Sequence, residues 1–363
     1  MKIALLGDIA LYGKYSKNNK NLFNYLEEIK EYLSQFDYVI GNLETPFSKE
    51  EKPIKGKSAT IRSYPENIEI LKYLKINIVN LANNHMFDYG EIAFNKTIKT
   101  LEENGIDYFG VNNKPLLLNN AIALHGYCSY NTNPSGVSLQ DNNSVTALNI
   151  KEISKNILKN HNDNFLNIIS IHSGQEHVNY PSIDDIEMAH LFADICPYIY
   201  YGHHPHVVQG IEEFKSSIIA YSLGNFLFDD VYTEKSSKPL VKQNDNNKTG
   251  LILEIELDKN KIISHNKKII YSNIEKLEII HDTTTNYYRQ LDNHTNALIN
   301  ATSNKVLYNT NRDTIISNYI NDRKTQRDIN WYIKRLNLNS VRIIINSKIN
   351  AIKYKNNVTK YLQ

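Results

Sequence analysis

The sequence has few cysteines, no long apolar run and almost no net charge, and each lack removes a class of protein. Cys128 and Cys196 are the only cysteines in 363 residues and stand far apart. That excludes a zinc-knuckle or disulfide-framework pattern and fits a reducing compartment, with both thiols serving as small buried hydrophobes. No stretch reaches the roughly 18 consecutive apolar residues of a membrane span. At the start, the apolar run Ile3–Leu6 is cut short by Gly7 and Asp8, too soon for the apolar region of a signal peptide. A cytoplasmic protein with no membrane span is expected. The charges are balanced, 41 Lys and Arg against 39 Asp and Glu. A general nucleic-acid binder needs a basic excess, so nucleic acid is not an expected partner. With 41% hydrophobic and 22% charged residues the chain is globular in composition rather than disordered.

What is present is a sequence of short β-branched runs alternating with longer amphipathic ones over the first 230 residues or so, the pattern of an α/β domain. Strands are expected at Lys2–Gly7, Asp37–Gly41, Ile78–Ala82, Phe165–Ile171, Tyr198–Tyr201 and Ile218–Ser222. Helical spacing marks Leu22–Phe36, Asn67–Leu74, Glu91–Asn104 (closed by Gly105) and Ile183–Ile195. The polar segment 232–249 reads as a mobile loop, and Leu251–Leu257 with Lys261–Tyr271 as a hairpin around Asp258-Lys259-Asn260. From about residue 276 the chain becomes Asn-rich, with helices expected over Tyr287–Ile299 and Thr314–Leu336. The expected division is residues 1–275 as one domain and 276–363 as a mainly helical extension. Arg323, Lys324, Arg327, Lys334 and Arg335 give the extension a basic face, read as solvated surface.

Chemistry-bearing residues gather where the apolar runs end. The clusters are Gly7-Asp8, Gly41-Asn42-Leu43-Glu44, Asn83-Asn84-His85-Met86-Phe87-Asp88, His172-Ser173-Gly174-Gln175-Glu176, Gly202-His203-His204-Pro205-His206 and Ser222-Leu223-Gly224-Asn225-Phe226. In open α/β sheets the carboxyl ends of strands are where ligands bind. Carboxylates from Asp8 and Glu44, the Asn84 amide and imidazoles from His172, His204 and His206 form the oxygen-and-nitrogen donor set of divalent ions of intermediate hardness. No thiolate joins any cluster, which disfavours soft-metal and iron–sulfur sites. So many ligands exceed what one tetrahedral ion takes, and a pair of ions about 3.5–4 Å apart is the natural reading. Such a pair activates a water and stabilises charge on a phosphoryl oxygen. His85 stands three residues before Asp88, so on a turn the carboxylate can orient the imidazole for proton transfer or charge stabilisation. His125, His161, His177, His190, His265, His281 and His294 lie outside the clusters or beside them and read as surface or structural.

The motifs GDIALYG (7–13), GNLETP (41–46), NLANNHMFDYG (80–90), HSGQE (172–176), GHHPHVVQG (202–210) and YSLGNFLFD (221–229) together resemble the capsule-synthesis CapA family, a branch of the calcineurin-like metallophosphoesterase superfamily. The resemblance covers residues 2–230 or so. It implies a four-layer α-β-β-α sandwich with a dinuclear site at the strand ends, and a part in making or exporting a surface polymer such as poly-γ-glutamate. It also implies Asp8, Glu44, Asn84, His172, His204 and His206 as metal ligands and His85 with Asp88 as the catalytic dyad. Asn42, Glu176, His203 and Asn225 fall in family motifs as further ligands or pocket residues. Departures are visible. Ala10 stands where the superfamily has a His, and Asn42 or Glu44 where it has an Asp, which implies a weaker second site or a single ion. The family's HWG reads HSG here, with His177 in place of a Tyr after the Glu. Either His203 or His204 can pair with His206; two-residue spacing favours His204.

The function expected is a metal-dependent hydrolase, with two divalent ions (Mn, Fe or Zn), acting on a phosphate ester or phosphorylated glycan or polymer intermediate in capsule or exopolysaccharide metabolism. Two rivals stand beside it. One is an amide- or peptide-bond enzyme on a polyglutamate-type polymer. The other is a non-catalytic assembly subunit, favoured by Ala10 and opposed by the intact His85–Asp88 pair. The tail is open to covering the site, pairing copies into a homo-oligomer, or binding a partner.

Overall fold

A computed structural model describes residues 1–139, 143–233, 236–325 and 336–362. In chain order the strands are β1 (Lys2–Ile9), β2 (Tyr38–Leu43), β3 (Ile78–Asn80), β4 (Asp107–Phe109), β5 (Leu116–Leu118), β6 (Ile122–Cys128), β7 (Val137–Ser138), β8 (Val145–Thr146) and β9 (Leu166–His172). They continue as β10 (Tyr198–His203), β11 (Ile211–Phe214), β12 (Ser217–Ala220), β13 (Asn225–Leu227), β14 (Val231–Thr233), β15 (Ser236–Val241), β16 (Thr249–Asp258), β17 (Lys261–Ser272) and β18 (Leu277–Ile280). The helices are α1 (Leu22–Tyr25), α2 (Glu27–Leu33), α3 (Ile68–Tyr73), α4 (Gly90–Glu103), α5 (Ile150–Asn162), α6 (Ile183–Ile195), α7 (Asp245–Lys248), α8 (Asn286–Ser303), α9 (Lys305–Thr325) and α10 (Leu338–Tyr354).

The first sheet runs β18-β17-β16-β1-β2-β3-β4, with β13 alongside the far end of β1. β1 to β4 are parallel, while β16, β17 and β18 continue antiparallel. The second sheet runs β11-β12-β10-β9-β6-β5, its four inner strands parallel. Alternation explains why these strands read as unbroken apolar runs. Successive side chains point to opposite faces, and both faces are covered. Ile168 and Ile199 turn toward Ile3, Leu5 and Ile40 of the other sheet, whereas Ile169, Tyr198 and Tyr200 turn outward under α5 and α6. On the first sheet Ala4, Leu6, Val39 and Val79 face Leu26 and Ile29 of the α1–α2 segment, Leu71 of α3 and Phe94 of α4. The result is the four-layer α-β-β-α sandwich that the resemblance implied.

Three expectations are corrected or refined. Within 232–249, expected as a mobile loop, the described residues form the β14–β15 ladder and the short helix α7, whose Asn244 cap accepts from two backbone N–H groups. The second tail helix begins at Lys305 rather than Thr314, and residues 326–335, with Arg327, Lys334 and Arg335, lie outside the described residues. The expected boundary at 275/276 falls in the turn before β18, which pairs with β17, so the sheet runs on into the extension. Tyr288 and Leu291 of α8 enter the core between the sheets, and Leu298 and Ala301 the outer core over the second sheet. Among the described residues no helix is long and apolar enough to cross a membrane.

Candidate metal centre

The carboxyl ends of β1, β2 and β3 meet those of β9 and β10, and the clusters converge there. Asp8 lies level with Asn42 of β2 on one side and Asn225 of β13 on the other. The glycines before Asp8 and Asn225 have a steric cause. A Cβ on Gly7 would lie 2.1 Å from the carbonyl oxygen of Gly224, and Gly224 holds φ at +66°. This close passage lets the Asp8 N–H donate to Gly224 (2.9 Å) and brings β13 into the site.

Asp8 accepts from Asn42 Nδ2 (2.8 Å), whose own Oδ1 is fixed by Asn80 Nδ2 (3.0 Å). Asp8 also accepts from the His204 backbone N–H (3.3 Å), with His206 Nδ1 3.3 Å from its Oδ2. His203 Nδ1 lies 3.1 Å from Asp8 Oδ1 but off the line of a hydrogen bond. Glu44 Oε1 sits 3.7 Å from His172 Nε2, 3.7 Å from His206 Nε2 and 3.8 Å from His85 Nε2. His172 Nε2 is 3.0 Å from Asn84 Oδ1, and Asn84 Nδ2 donates to the Thr132 carbonyl (3.1 Å). His206 Nδ1 is 2.9 Å from Asn225 Oδ1, which leaves Nε2 turned toward Glu44. The His204 ring lies 4.9 Å from that of His172 and 6.0 Å from that of His206, so His204 and His206 share one side, while His203 reaches Asp8 from the strand end. His204 and His206 hold φ at +94° and +56°. Such backbone costs about 1–3 kcal/mol per residue and persists where surrounding structure over-determines it, commonly at functional sites.

Asp8, Glu44 and His206 offer donor atoms that all lie within 4.8 Å of one another. Among the described residues, both carboxylate oxygens of Glu44 are buried without a hydrogen-bond donor, and the ring nitrogens of His203 and Nδ1 of His204 are buried without a partner. A buried carboxylate left unpaired is costly unless it is neutralised or bound to a cation. Burial, with the charge of Asp8 beside it, pushes the Glu44 carboxyl well above the usual carboxylate range. Burial opposes the charged form of Asp8 too, but the adjacent His203 and His206 outweigh it and hold Asp8 low. Burial likewise opposes charge on His206, yet Glu44 and Asp8 prevail and push it up to about 10. His204 is driven by burial down to about 3, and His172 well below its ordinary value by burial and the neighbouring His204. A buried carboxylate that keeps its proton for want of a donor, beside an ionised Asp8 and the neutral imidazoles of His172 and His204, is the electrostatic form of a site that a divalent cation satisfies. The residues fit such an ion, and the oxygen–imidazole donor set suits Mn, Fe or Zn.

His85 stands at the edge. The His85–Asp88 turn, closed by Asp88 N–H to the His85 carbonyl (2.9 Å), sets His85 Nδ1 2.6 Å from Asp88 Oδ2. Asp88 is fully buried and also takes Lys57 Nζ (2.5 Å) and the Ile61 N–H (2.8 Å). Lys57 further donates to the Asn84 carbonyl, so it ties the dyad to a candidate ligand. Lys57 escaped the reading of the sequence because it sits in a lysine-rich polar loop with nothing to single it out. The position where the superfamily has a His, Ala10, packs with Ile61, Phe228 and Val231. A cleft of about 250 Å³ opens beside the centre, lined by His85, Glu176, His177, His206, Phe228 and Gln243 among others. The His177 ring lies 4.7 Å from that of Tyr319 of α9 at a tilt of 35°, which brings the extension to the cleft's rim. His125, read as structural, is buried between Tyr127 and Asn160.

The profile of the bacterial capsule synthesis protein family PGA_cap matches residues 2–230, the span that holds all the candidate ligands and the His85–Asp88 pair. The chain belongs to that family. Among PGA_cap relatives, the capsule biosynthesis protein CapA of Bacillus anthracis is 30% identical over 276 residues, covering 70% of this chain and 66% of its own. The PGA biosynthesis protein CapA of Bacillus subtilis is 27% identical, covering 67% of each. The chain thus spans about two thirds of the length of these relatives. Among solved structures, the sulfate thiohydrolase SoxB of Thermus thermophilus, in complex with glycerol, superposes with a TM-score of 0.40 at 9% identity, over 74% of this chain and 46% of that one.

Proposed function

We propose that this PGA_cap member is a metal-dependent phosphoesterase-type hydrolase of capsule or exopolysaccharide biosynthesis, acting on a phosphorylated glycan or polymer intermediate. The observation that carries the reading is the meeting of Asp8, Glu44 and His206 within 4.8 Å, with Glu44 lacking any donor and the His85–Asp88 pair beside it. On this reading Asp8, Glu44, Asn84, His172, His204 and His206 hold two divalent ions. When bound, such ions polarise a phosphoryl group and make water a nucleophile near neutral pH.

The chain's own residues do the rest. The ionised Asp88 can only accept, so the His85 proton sits on Nδ1 and Nε2 faces the cleft, where it holds or moves a proton at the leaving-group oxygen. Burial lowers His85, the nearby Lys57 charge adds to this, and Asp88 only partly restores it, which keeps the imidazole neutral at rest. Asn225 fixes the ring of His206, and Asn42 fixes Asp8. The apolar side of the cleft, Ile61, Phe228, Val231, Leu240 and Val241, excludes water from one wall. The extension, residues 276–363, serves as part of the cleft's rim through Tyr319. A cytoplasmic location belongs to the same reading and is supported by the free, buried thiols of Cys128 and Cys196.

A chromogenic phosphoester assay on wild type and His85→Ala tests it. Hydrolysis that falls on the order of 10²–10⁴-fold in the variant, with metal content kept, is the expected result. Absence of hydrolysis by the metal-loaded wild type would overturn it. Activity on γ-glutamyl peptides would then support an amide-bond enzyme acting on a polyglutamate-type polymer.

A further inference from the structure

Helix α10 is built inside out. Its polar side faces the protein: Asn339 Oδ1 accepts from the Gly56 N–H (2.7 Å), Asn346 Nδ2 donates to the Gly56 carbonyl (3.4 Å), Asn350 Nδ2 donates to Asn133 Oδ1 (2.8 Å), and the Tyr354 hydroxyl donates to Asp184 (3.1 Å). Its apolar side faces away. Leu338, Val341, Ile344, Ile345, Ile349 and Ile352 are between 45% and 80% exposed. At 3.6 residues per turn, all of these but Ile344 fall within an arc of about 80°. Arg342 borders that arc on one side and Lys348 on the other, and Lys355 follows in the next turn. Residues 336–363 carry five basic side chains and no acidic one.

A solvated helix carries its polar face outward; here the hydrogen bonds to Gly56 and Asn133 fix the opposite rotation, so the apolar stripe is a designed surface rather than a chance of rotation. A stripe of aliphatic side chains flanked by cations is the form of a helix that lies in a bilayer interface, its apolar side chains among the acyl chains and its cations at anionic headgroups. A second copy of this chain fits less well. A two-fold contact on this stripe would set Arg342 and Lys348 of one copy against the same residues of the other, with no acid on the helix to offset them.

We propose that the outer face of α10 is a membrane-surface docking site that binds anionic lipid bilayers peripherally. The proposal is independent of the chemistry assigned to the metal centre. The test is co-sedimentation of the full-length chain with vesicles of phosphatidylcholine alone or with a quarter phosphatidylglycerol. It is paired with an environment-sensitive fluorophore on Ile349→Cys, a position that contacts nothing in the core. Binding to the anionic vesicles alone is expected, with a blue shift of the fluorophore. Since each cation near such a surface contributes about 1 kcal/mol, Arg342→Gln/Lys348→Gln/Lys355→Gln should weaken partitioning on the order of a hundredfold. Ile345→Asp/Ile349→Asp should abolish it while leaving the melting temperature unchanged, because these side chains face outward. Absence of binding to anionic vesicles, or equal binding by the aspartate variant, overturns the proposal. So does a blue-shifted fluorophore without vesicles: concentration dependence of the shift would assign the face to a second copy, and its absence to coverage by the chain itself.

Discussion

Removing the Lys57 ammonium tests whether the dyad is held from behind as the geometry indicates. The Lys57 side chain is 5% exposed and that of Asp88 is 0%, with Nζ 2.5 Å from Oδ1. Lys57→Met keeps the unbranched apolar stem, ending one atom short, and leaves Asp88 charged and buried with the Ile61 N–H and His85 as its remaining partners among the described residues. Breaking one side of a buried pair costs roughly 3–5 kcal/mol, and the surviving partners place this case near the lower end, about 3 kcal/mol. An unfolding entropy of about 2.1 cal/mol/K per residue over 363 residues gives about 0.76 kcal/mol/K, so the melting temperature should fall by about 4 °C. Asp88→Asn alone should also destabilise, and the double variant should recover about 2 kcal/mol relative to the sum of the singles. Thermal melts of the four proteins, metal-loaded under identical conditions, provide the cycle. A shift below about 1 °C with additive effects would equate the pair with an exposed one and refute the reasoning.

Further outcomes follow from the same geometry. Glu44 and His206 both hold protons more tightly folded than unfolded. Stability of the metal-free chain should therefore decline as pH rises from about 6.5, where unfolded His loses its proton, toward about 10. His172 and His204, with lowered values, act in the opposite sense only below that range. Metal must displace those protons, so calorimetry at pH 7.5 in buffers of different ionisation enthalpy should report release of about one to two protons per chain, reduced in Glu44→Gln; no release would contradict the assigned protonation. Gly7→Ala should fail to fold or lose metal, since its Cβ would meet the Gly224 carbonyl oxygen at 2.1 Å; circular dichroism and metal content of the soluble fraction decide it.

How far the sequence shows this architecture depends on the local physics. Strands buried on both faces, such as Leu166–His172 and Tyr198–His203, are plain as apolar runs, and helix Ile183–Ile195 appears with the bounds expected, its Ser182–Asp185 capping box at the start. The candidate clusters stood out because each follows an apolar run, and the parallel strands end together, which brings them to one edge. β6 was hidden by His125 and Gly126. Gly126 is required because a Cβ there would lie 2.0 Å from Asn80 Oδ1, and His125 is a satisfied core residue. Lys57 was illegible since its partner lies 31 residues away and depends on the fold. The described part of the β14–β15 segment, polar in composition, is a ladder because Val231 and Val241 pack beside the cleft. α10 escaped notice because its apolar stripe serves no core.

The central question is whether Asp8, Glu44 and His206 bind a cation. Elemental analysis of the purified chain, after reconstitution with manganese or zinc and removal of excess ion, measures this directly in wild type, Glu44→Gln and His125→Asn as a distant buried control. Bound metal in the wild type and the control, lost in Glu44→Gln while the variant remains folded, is the predicted result. A wild type that retains no metal, or a Glu44→Gln chain that retains as much as the wild type, would contradict it.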